Sequence, residues 1–122
     1  MTRTRRSPDT LLPLTPAMFQ VLIALADGEK HGYAIIKEVA RRTAGEVSLS
    51  AGTLYAIVRR FEQEGVIEES ASRPDPALDD ERRRYFRLTA FGREVAQAEA
   101  RRMESALRMA QAKNLIPRTR LA

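Results

Sequence analysis

The residues best suited to chemistry in this sequence lie in one stretch, Ser50-Ala51-Gly52-Thr53-Leu54-Tyr55-Ala56-Ile57-Val58-Arg59-Arg60-Phe61-Glu62-Gln63-Glu64-Gly65. The chemistry they suit is recognition of a polyanion. The stretch reads as one complete helix. Ser50 is a good N-cap, because its hydroxyl can accept an orphan backbone N–H of the first turn. Gly65 is a good terminator, because it enters the left-handed region without a Cβ penalty. Leu54, Ile57, Val58 and Phe61 fall at i, i+3, i+4 and i+7, so one face is apolar. At about 100° per residue, Gly52, Ala56, Arg59 and Gln63 fall on the opposite face, with Tyr55 on its flank. Near its start the outer face carries only small residues, which let a backbone approach another surface closely. The helix start also offers N–H donors and a positive dipole end to phosphates. A DNA recognition helix needs these properties, although the same pattern fits an ordinary amphipathic surface helix. On the recognition reading Ser50 and Thr53 bond phosphate or base edges, the Tyr55 hydroxyl meets phosphate, and Arg59 reaches phosphate or guanine.

The charge distribution points the same way. The formal charge is +5 over 122 residues. Lys30, Lys37, Arg41, Arg42, Arg59 and Arg60 face only Glu38 and Glu46 between residues 30 and 60. Residues 1–29 are balanced, so nearly all the excess lies around the helix above. A focused basic surface suits a polyanionic partner. Lys37, Arg41 and Arg42, with Arg82, Arg83 and Arg84 further on, are expected to supply mostly sequence-independent attraction to the DNA backbone. The alternative is a solvated helical surface.

The surrounding elements place this helix. Residues 1–12 read as a disordered basic tail. Arg3, Arg5 and Arg6 can reach into a minor groove, as some N-terminal arms do, or form an idle tail. Thr15-Pro16 starts a helix, with Thr as N-cap and Pro at the first position. Met18, Phe19, Val21, Leu22, Ile23, Leu25 and Ala26 make it apolar nearly all round, so it needs cover on both sides. A second helix opens at His31-Gly32-Tyr33 and runs to about Thr43, with Ile35, Ile36, Val39 and Ala40 as its apolar stripe. His31 fits a structural place at the helix start. Gly45 ends this helix, Glu46–Leu49 connects, and the helix from Ser50 comes next, giving a helix-turn-helix pattern. Val66–Glu69 and Arg84–Leu88 read as two strands, with Phe86 and Leu88 inward and Tyr85 and Arg87 outward. The loop between them holds Pro74 and Pro76. Its Asp75, Asp79, Asp80 and Glu81 offset Arg82, Arg83, Arg84 and Arg87. Together these elements predict a mainly α chain with a small two-stranded β wing.

Thr89 caps a last helix, from Ala90 to about Lys113. At about 35 Å it is too long for the small domain behind it to cover. Phe91, Val95, Ala98, Met103, Ala106, Leu107 and Ala110 form its thin apolar stripe. A homodimer covers both this stripe and the first helix, and two-fold symmetry then implies a palindromic operator. The division expected is a winged helix-turn-helix over residues 13–89 and a dimerisation helix over 90–115. Met18, Phe19, Leu22, Phe91, Val95, Met103 and Leu107 are the candidate interface residues.

Other functions find little support. There is no Cys and a single His, which excludes thiolate sites and a multi-histidine metal site within one chain. No paired-acid constellation or glycine-rich phosphate loop stands out, and Ser48, Ser50 and Thr53 lack a positioned base. The expectation is a protein with no catalytic residues, cofactor or metal. No apolar run has membrane-spanning length, and the start of the chain does not read as a signal peptide. The absence of Cys fits a cytoplasmic protein. The other function class in play is a winged-helix module that binds protein and not specific DNA.

Leu14-Thr15-Pro16, Glu29-Lys30-His31-Gly32-Tyr33-Ala34-Ile35, Gly52-Thr53-Leu54-Tyr55, Glu64-Gly65-Val66-Ile67 and Arg84-Tyr85-Phe86-Arg87-Leu88-Thr89 with Gly92 together resemble the PadR family of transcriptional regulators. The resemblance spans about residues 11–113. It implies a winged helix-turn-helix, a homodimer built from the first and last helices, and repression relieved by a small molecule. It also implies the short subclass, with one C-terminal helix. An apolar or aromatic effector would then sit near the dimer interface, among Met18, Phe19, Phe91 and Val95. Three features depart from the family pattern. Ala56 stands where Pro is common, the wing loop is acidic, and no Trp is present to build a stacked tryptophan slot.

Overall fold

The computed structural model describes residues 6–70 and 84–117. Four helices and a small sheet make up the fold: α1 Pro16–Leu25, β1 Lys30–His31, α2 Gly32–Arg42, α3 Ala51–Gln63, β2 Ile67–Glu69, β3 Tyr85–Leu88 and α4 Ala90–Ala112, preceded by a 3-10 turn over Pro8–Leu11. The mainly α winged-helix fold expected from the sequence is the fold found.

Every α-helix begins on a side-chain cap. Thr15 Oγ1 accepts the Met18 N–H, His31 Nδ1 that of Ala34, Ser50 Oγ that of Thr53 and Thr89 Oγ1 that of Gly92. Each bond satisfies a first-turn donor that the helix itself cannot. His31 therefore keeps an unprotonated Nδ1 toward the helix, which is the structural place the sequence suggests. The ends are equally local. After α2, Ala44 and Gly45 both take positive φ, at 52° and 83°, and the Gly45 N–H closes on Ala40 C=O at 2.8 Å. This turn swings the chain into the connection before α3.

The sheet holds one strand more than the wing pair. β3 is central and antiparallel to both neighbours, with Lys30 opposite Phe86 on one side and Ile67 opposite Leu88 on the other. Two residues are too few to show a period of two, so β1 has no sequence signature. β3 alternates as expected: Phe86 is fully buried and Arg87 exposed. Tyr85 is half-buried, because the His31 ring of β1 meets it edge-on.

The core gathers one face of each element. Val21, Leu22 and Leu25 of α1 meet Ile35 and Val39 of α2, Leu54, Val58 and Phe61 of α3, Phe86 of β3 and Val95 of α4. Residues 6–12 depart from the disordered tail expected of them. Leu11 and Leu12 pack against the core, and Ser7 caps the 3-10 turn. Arg6 pairs with Glu64 and lies over the Phe91 ring. Two leucines at the end of a short turn bury enough apolar surface to hold this segment against α4.

Two contacts fix α4. A Cβ on Gly92 would lie 1.9 Å from Val66 C=O, so only glycine lets α4 start this close to the turn after α3. Further along, Glu99 is fully buried. It accepts the Leu14 N–H at 2.7 Å and pairs with Arg102. The Arg102 guanidinium, with help from the Leu14 amide and against the cost of burial, holds the Glu99 carboxyl below the usual carboxylate range.

Gly92→Ala should destabilise the fold by about 2–3 kcal/mol, since the obstructing atom is backbone that cannot rotate away; denaturant titration measures this. Glu99 gives a pH signature. Its folded pKa is depressed, so its stabilisation is complete above about pH 4.3 and disappears as pH falls through the lowered value. Glu99→Gln should cost about 1–3 kcal/mol at pH 7, with the gap to the parent narrowing below about pH 4. Unfolding titrations of both proteins from pH 7 to 3 test this, and a gap independent of pH would contradict it.

Candidate nucleic-acid interface

The outer face of α3 stands clear. Ser50, Ala51, Gly52, Thr53, Ala56, Arg59 and Gln63 are exposed, while Leu54, Val58 and Phe61 are buried. The small residues at the helix start leave the α3 backbone open to close approach. The Ser50 hydroxyl is already engaged, since it caps Thr53 and contacts Thr53 Oγ1 at 3.0 Å. Thr53 keeps a hydroxyl proton to offer outward.

Tyr55 is placed differently from the sequence expectation. Its ring is half-buried and meets the Phe86 ring of β3 edge-on at 6.3 Å. Its hydroxyl lies 2.6 Å from the point a Cβ on Gly32 would occupy. The absent side chain of Gly32 leaves a notch at the start of α2, and the phenol fills it. The flank position that a helical wheel gives Tyr55 is therefore partly covered by tertiary packing, which turns its hydroxyl toward the start of α2.

The cations sort into two groups. Lys30 is held by Asp27, by the Ala24 carbonyl at 2.6 Å and by Glu38 at 3.6 Å. The Lys30 ammonium lowers the Asp27 pKa. Arg42 pairs with the same buried Glu38 at 2.9 Å. Arg84 pairs with Glu69 and Glu62, and Arg87 with Glu68. Among the described residues of α2 and α3, Lys37, Arg41, Arg59 and Arg60 are exposed and make no ion pair, a state that Arg93, Arg101 and Lys113 share along α4. A cation that must first leave a carboxylate contributes less to phosphate neutralisation than a free one, so the second group is the better placed to attract a polyanion. Of the predicted DNA contacts, Lys37, Arg41, Thr53 and Arg59 are open. Ser50 and Arg42 are engaged but reachable, Arg84 is doubly paired, and Arg82 and Arg83 lie outside the described residues.

One surface residue escaped the sequence reading. Tyr33, in the first turn of α2, is 62% exposed, and the Lys37 ammonium sits 5.2 Å above its ring. The i, i+4 spacing of an aromatic and a lysine could have revealed it.

The predicted interface residues also divide. Leu22 and Val95 have no exposure and belong to the core of one protomer, because the small domain itself covers that side of α1 and α4. They are corrected out of the dimer and ligand set. Met18, Phe19 and Phe91 are half-buried at the edge of the core. Met103 and Leu107 stand 38% and 40% exposed. A groove of about 200 Å³ between α1, β3 and α4 is lined by Phe19, Ile23, Leu88, Ala96 and Ala100. No helix among the described residues is long and apolar enough to cross a membrane.

A sequence profile described as the transcriptional regulator PadR-like family matches residues 21–98. Over 73 residues the chain is 33% identical to a protein of Lysinibacillus sphaericus called Uncharacterized protein X, covering 60% of this chain and 64% of that protein. It spans 64% and 23% of the lengths of two curated relatives that it matches. A PadR family transcription regulator from Clostridium difficile superposes with a TM-score of 0.67 at 22% identity, covering 80% of this chain and 97% of that one. Bacillus subtilis PadR, solved in complex with operator DNA, superposes with a TM-score of 0.58 at 20% identity over 70% of this chain and 47% of its own. At such identities these structures establish a shared fold.

The sorting of cations has a measurable consequence. Lys37→Ala, Arg41→Ala or Arg59→Ala should each flatten the dependence of log K on log salt by about one unit. Lys37→Ala and Arg41→Ala should weaken every duplex alike. Arg42→Ala should instead lower stability, by leaving the buried Glu38 charge with Lys30 alone, with little change in slope. Affinity measured across a salt series separates the cases, and equal slopes for Arg41→Ala and the parent would refute the sorting.

Proposed function

The chain belongs to the transcriptional regulator PadR-like family, a family of DNA-binding regulators and not of enzymes, and on that premise we propose that it is a repressor that binds a palindromic operator as a homodimer. The observation that carries the reading is the open, small-residue face of α3 beside the unpaired Lys37, Arg41 and Arg59. Inserted in the major groove, this face reads base edges through Thr53 and Arg59 while Lys37 and Arg41 hold the backbone. Residues 13–89 form the DNA-binding unit and 90–115 the dimerisation helix. Arg82 and Arg83 add sequence-independent attraction.

The dimer reading rests on α4. Its first half is packed, with Val95, Ala98 and Glu99 buried, while residues 101–109 are all exposed. The exposed part includes Met103, Leu107 and Met109, and Met103, Ala106, Leu107 and Ala110 line one depression along it. An apolar stripe on a projecting helix is stabilised by a second copy of the same stripe. The groove between α1, β3 and α4 is small for a drug-sized ligand; completed by a second protomer, it suits an apolar or aromatic effector. Such a molecule releases DNA by binding the DNA-free conformation more tightly. The protein works in the cytoplasm, on duplex DNA, without a cofactor or metal.

Selection from a pool of random duplexes tests this. The expected result is one enriched palindromic motif, with half-sites about 10 base pairs apart. Met103→Asp with Leu107→Asp should give a folded monomer by sedimentation and circular dichroism, with operator affinity reduced by at least about tenfold. An apolar ligand of the groove should raise the melting temperature of the dimer and weaken this binding. A pool that enriches no motif, or a parent protein that is monomeric at micromolar concentration, would overturn the proposal.

A further inference from the structure

Arg84 stands just before β3 at the root of the wing, and its side chain reaches three elements. Its Nε donates to Glu69 Oε1 of β2 at 2.5 Å. Its terminal nitrogen lies 3.7 Å from Glu62 Oε2, in the last turn of α3. Its guanidinium carbon stands 5.2 Å from the centre of the Phe86 ring. Phe86 in turn meets the Tyr55 ring of α3, and Tyr55 fills the notch left by Gly32 at the start of α2. A continuous line of contacts therefore runs from the wing strands through the recognition helix to the first helix of the helix-turn-helix.

We propose that Arg84 is a positioning residue, a clamp that sets the wing strands against α3 before DNA is met, and not one of the arginines that neutralise phosphate. This rests on the DNA-binding reading above and names the residue that holds its parts in register. An arginine already satisfied by two carboxylates and an aromatic face has little counterion release left to offer. Its value lies in preorganisation. Two elements that must engage one duplex together bind it best when their relative placement is fixed in advance. Glu62 and Glu69, which by charge alone oppose DNA, become contributors to specific binding.

That reversal of sign supplies the test. The probes are the duplex enriched from the random pool and a scrambled duplex of the same length. The full-length parent, Glu62→Gln/Glu69→Gln, Arg84→Gln, Arg84→Glu and Glu69→Arg/Arg84→Glu are compared over a salt series, with melting temperature checked for each. If charge alone mattered, removing two carboxylates would tighten binding to both duplexes. The clamp instead predicts that Glu62→Gln/Glu69→Gln loses about fivefold on the enriched duplex, while binding the scrambled one as well as the parent or better. Arg84→Gln should lose a similar factor with an unchanged salt slope. Arg84→Glu should lose more, and the reversed pair Glu69→Arg/Arg84→Glu should recover at least half of that loss on a logarithmic scale. Enriched-duplex binding by Glu62→Gln/Glu69→Gln at parental strength or better overturns the proposal. So does a slope reduced by about one unit in Arg84→Gln, the mark of a phosphate contact, or the absence of recovery in the reversed pair. A pool that enriches no duplex defeats the DNA-binding reading itself, a separate and recognisable outcome.

Discussion

The turn from α3 into β2 is where the functional parts of this molecule are tied together. Gly65 takes a φ of 75°, and Val66 N–H closes on Phe61 C=O at 2.8 Å. Val66 C=O then accepts Thr89 N–H at 3.0 Å, and the Thr89 hydroxyl reaches Gly65 C=O while capping α4. Gly92 lets the first turn of α4 press directly on this backbone. One turn thus joins the end of α3, the first wing strand, the end of the second and the start of the long helix. Interiors packed to crystal-like density transmit displacement instead of absorbing it. A shift of α4 is therefore felt at α3, which is the physical requirement of the proposed link between a dimer-interface ligand and DNA release.

Internal ion pairing is the second organising feature, because it decides what charge the surface offers. Buried Glu38 takes up Lys30 and Arg42, and buried Glu99 takes up Arg102. The carboxylates of β2 and α3 occupy Arg84 and Arg87. Lys37, Arg41, Arg59 and Arg60 remain open among the described residues. They give α2 and α3, the two helices of the helix-turn-helix, an unpaired positive surface, while Arg93, Arg101 and Lys113 leave further unpaired charge along α4. Formal charge overstates that field, since several basic residues hold the fold together.

Local sequence sets the elements and their ends. Thr15, Ser50 and Thr89 each cap the helix that begins at the next residue, and Gly65 ends the helix just before it, so these short-range bonds are legible without a structure. The apolar spacing of Leu54, Ile57, Val58 and Phe61 likewise establishes which face of α3 turns outward. With five short motifs in order, this was enough to give the fold, the family and the open face of the candidate interface.

Which side chains on that surface are free is a matter of tertiary packing. Tyr55 lies on the flank of a helical wheel, but the notch at Gly32, far from it in sequence, draws it inward. Arg84 reads as one more wing cation until Glu62 and Glu69 are seen around it. Leu22 and Val95 belong to apolar stripes whose periodicity cannot say which member faces its own core and which a second copy. β1 is too short to have a period at all, and the ordering of residues 6–12 depends on a groove that α4 supplies. The cause is common to all five. Caps and periodicity are interactions within a few residues, whereas a side chain's availability depends on neighbours that only the folded chain brings beside it.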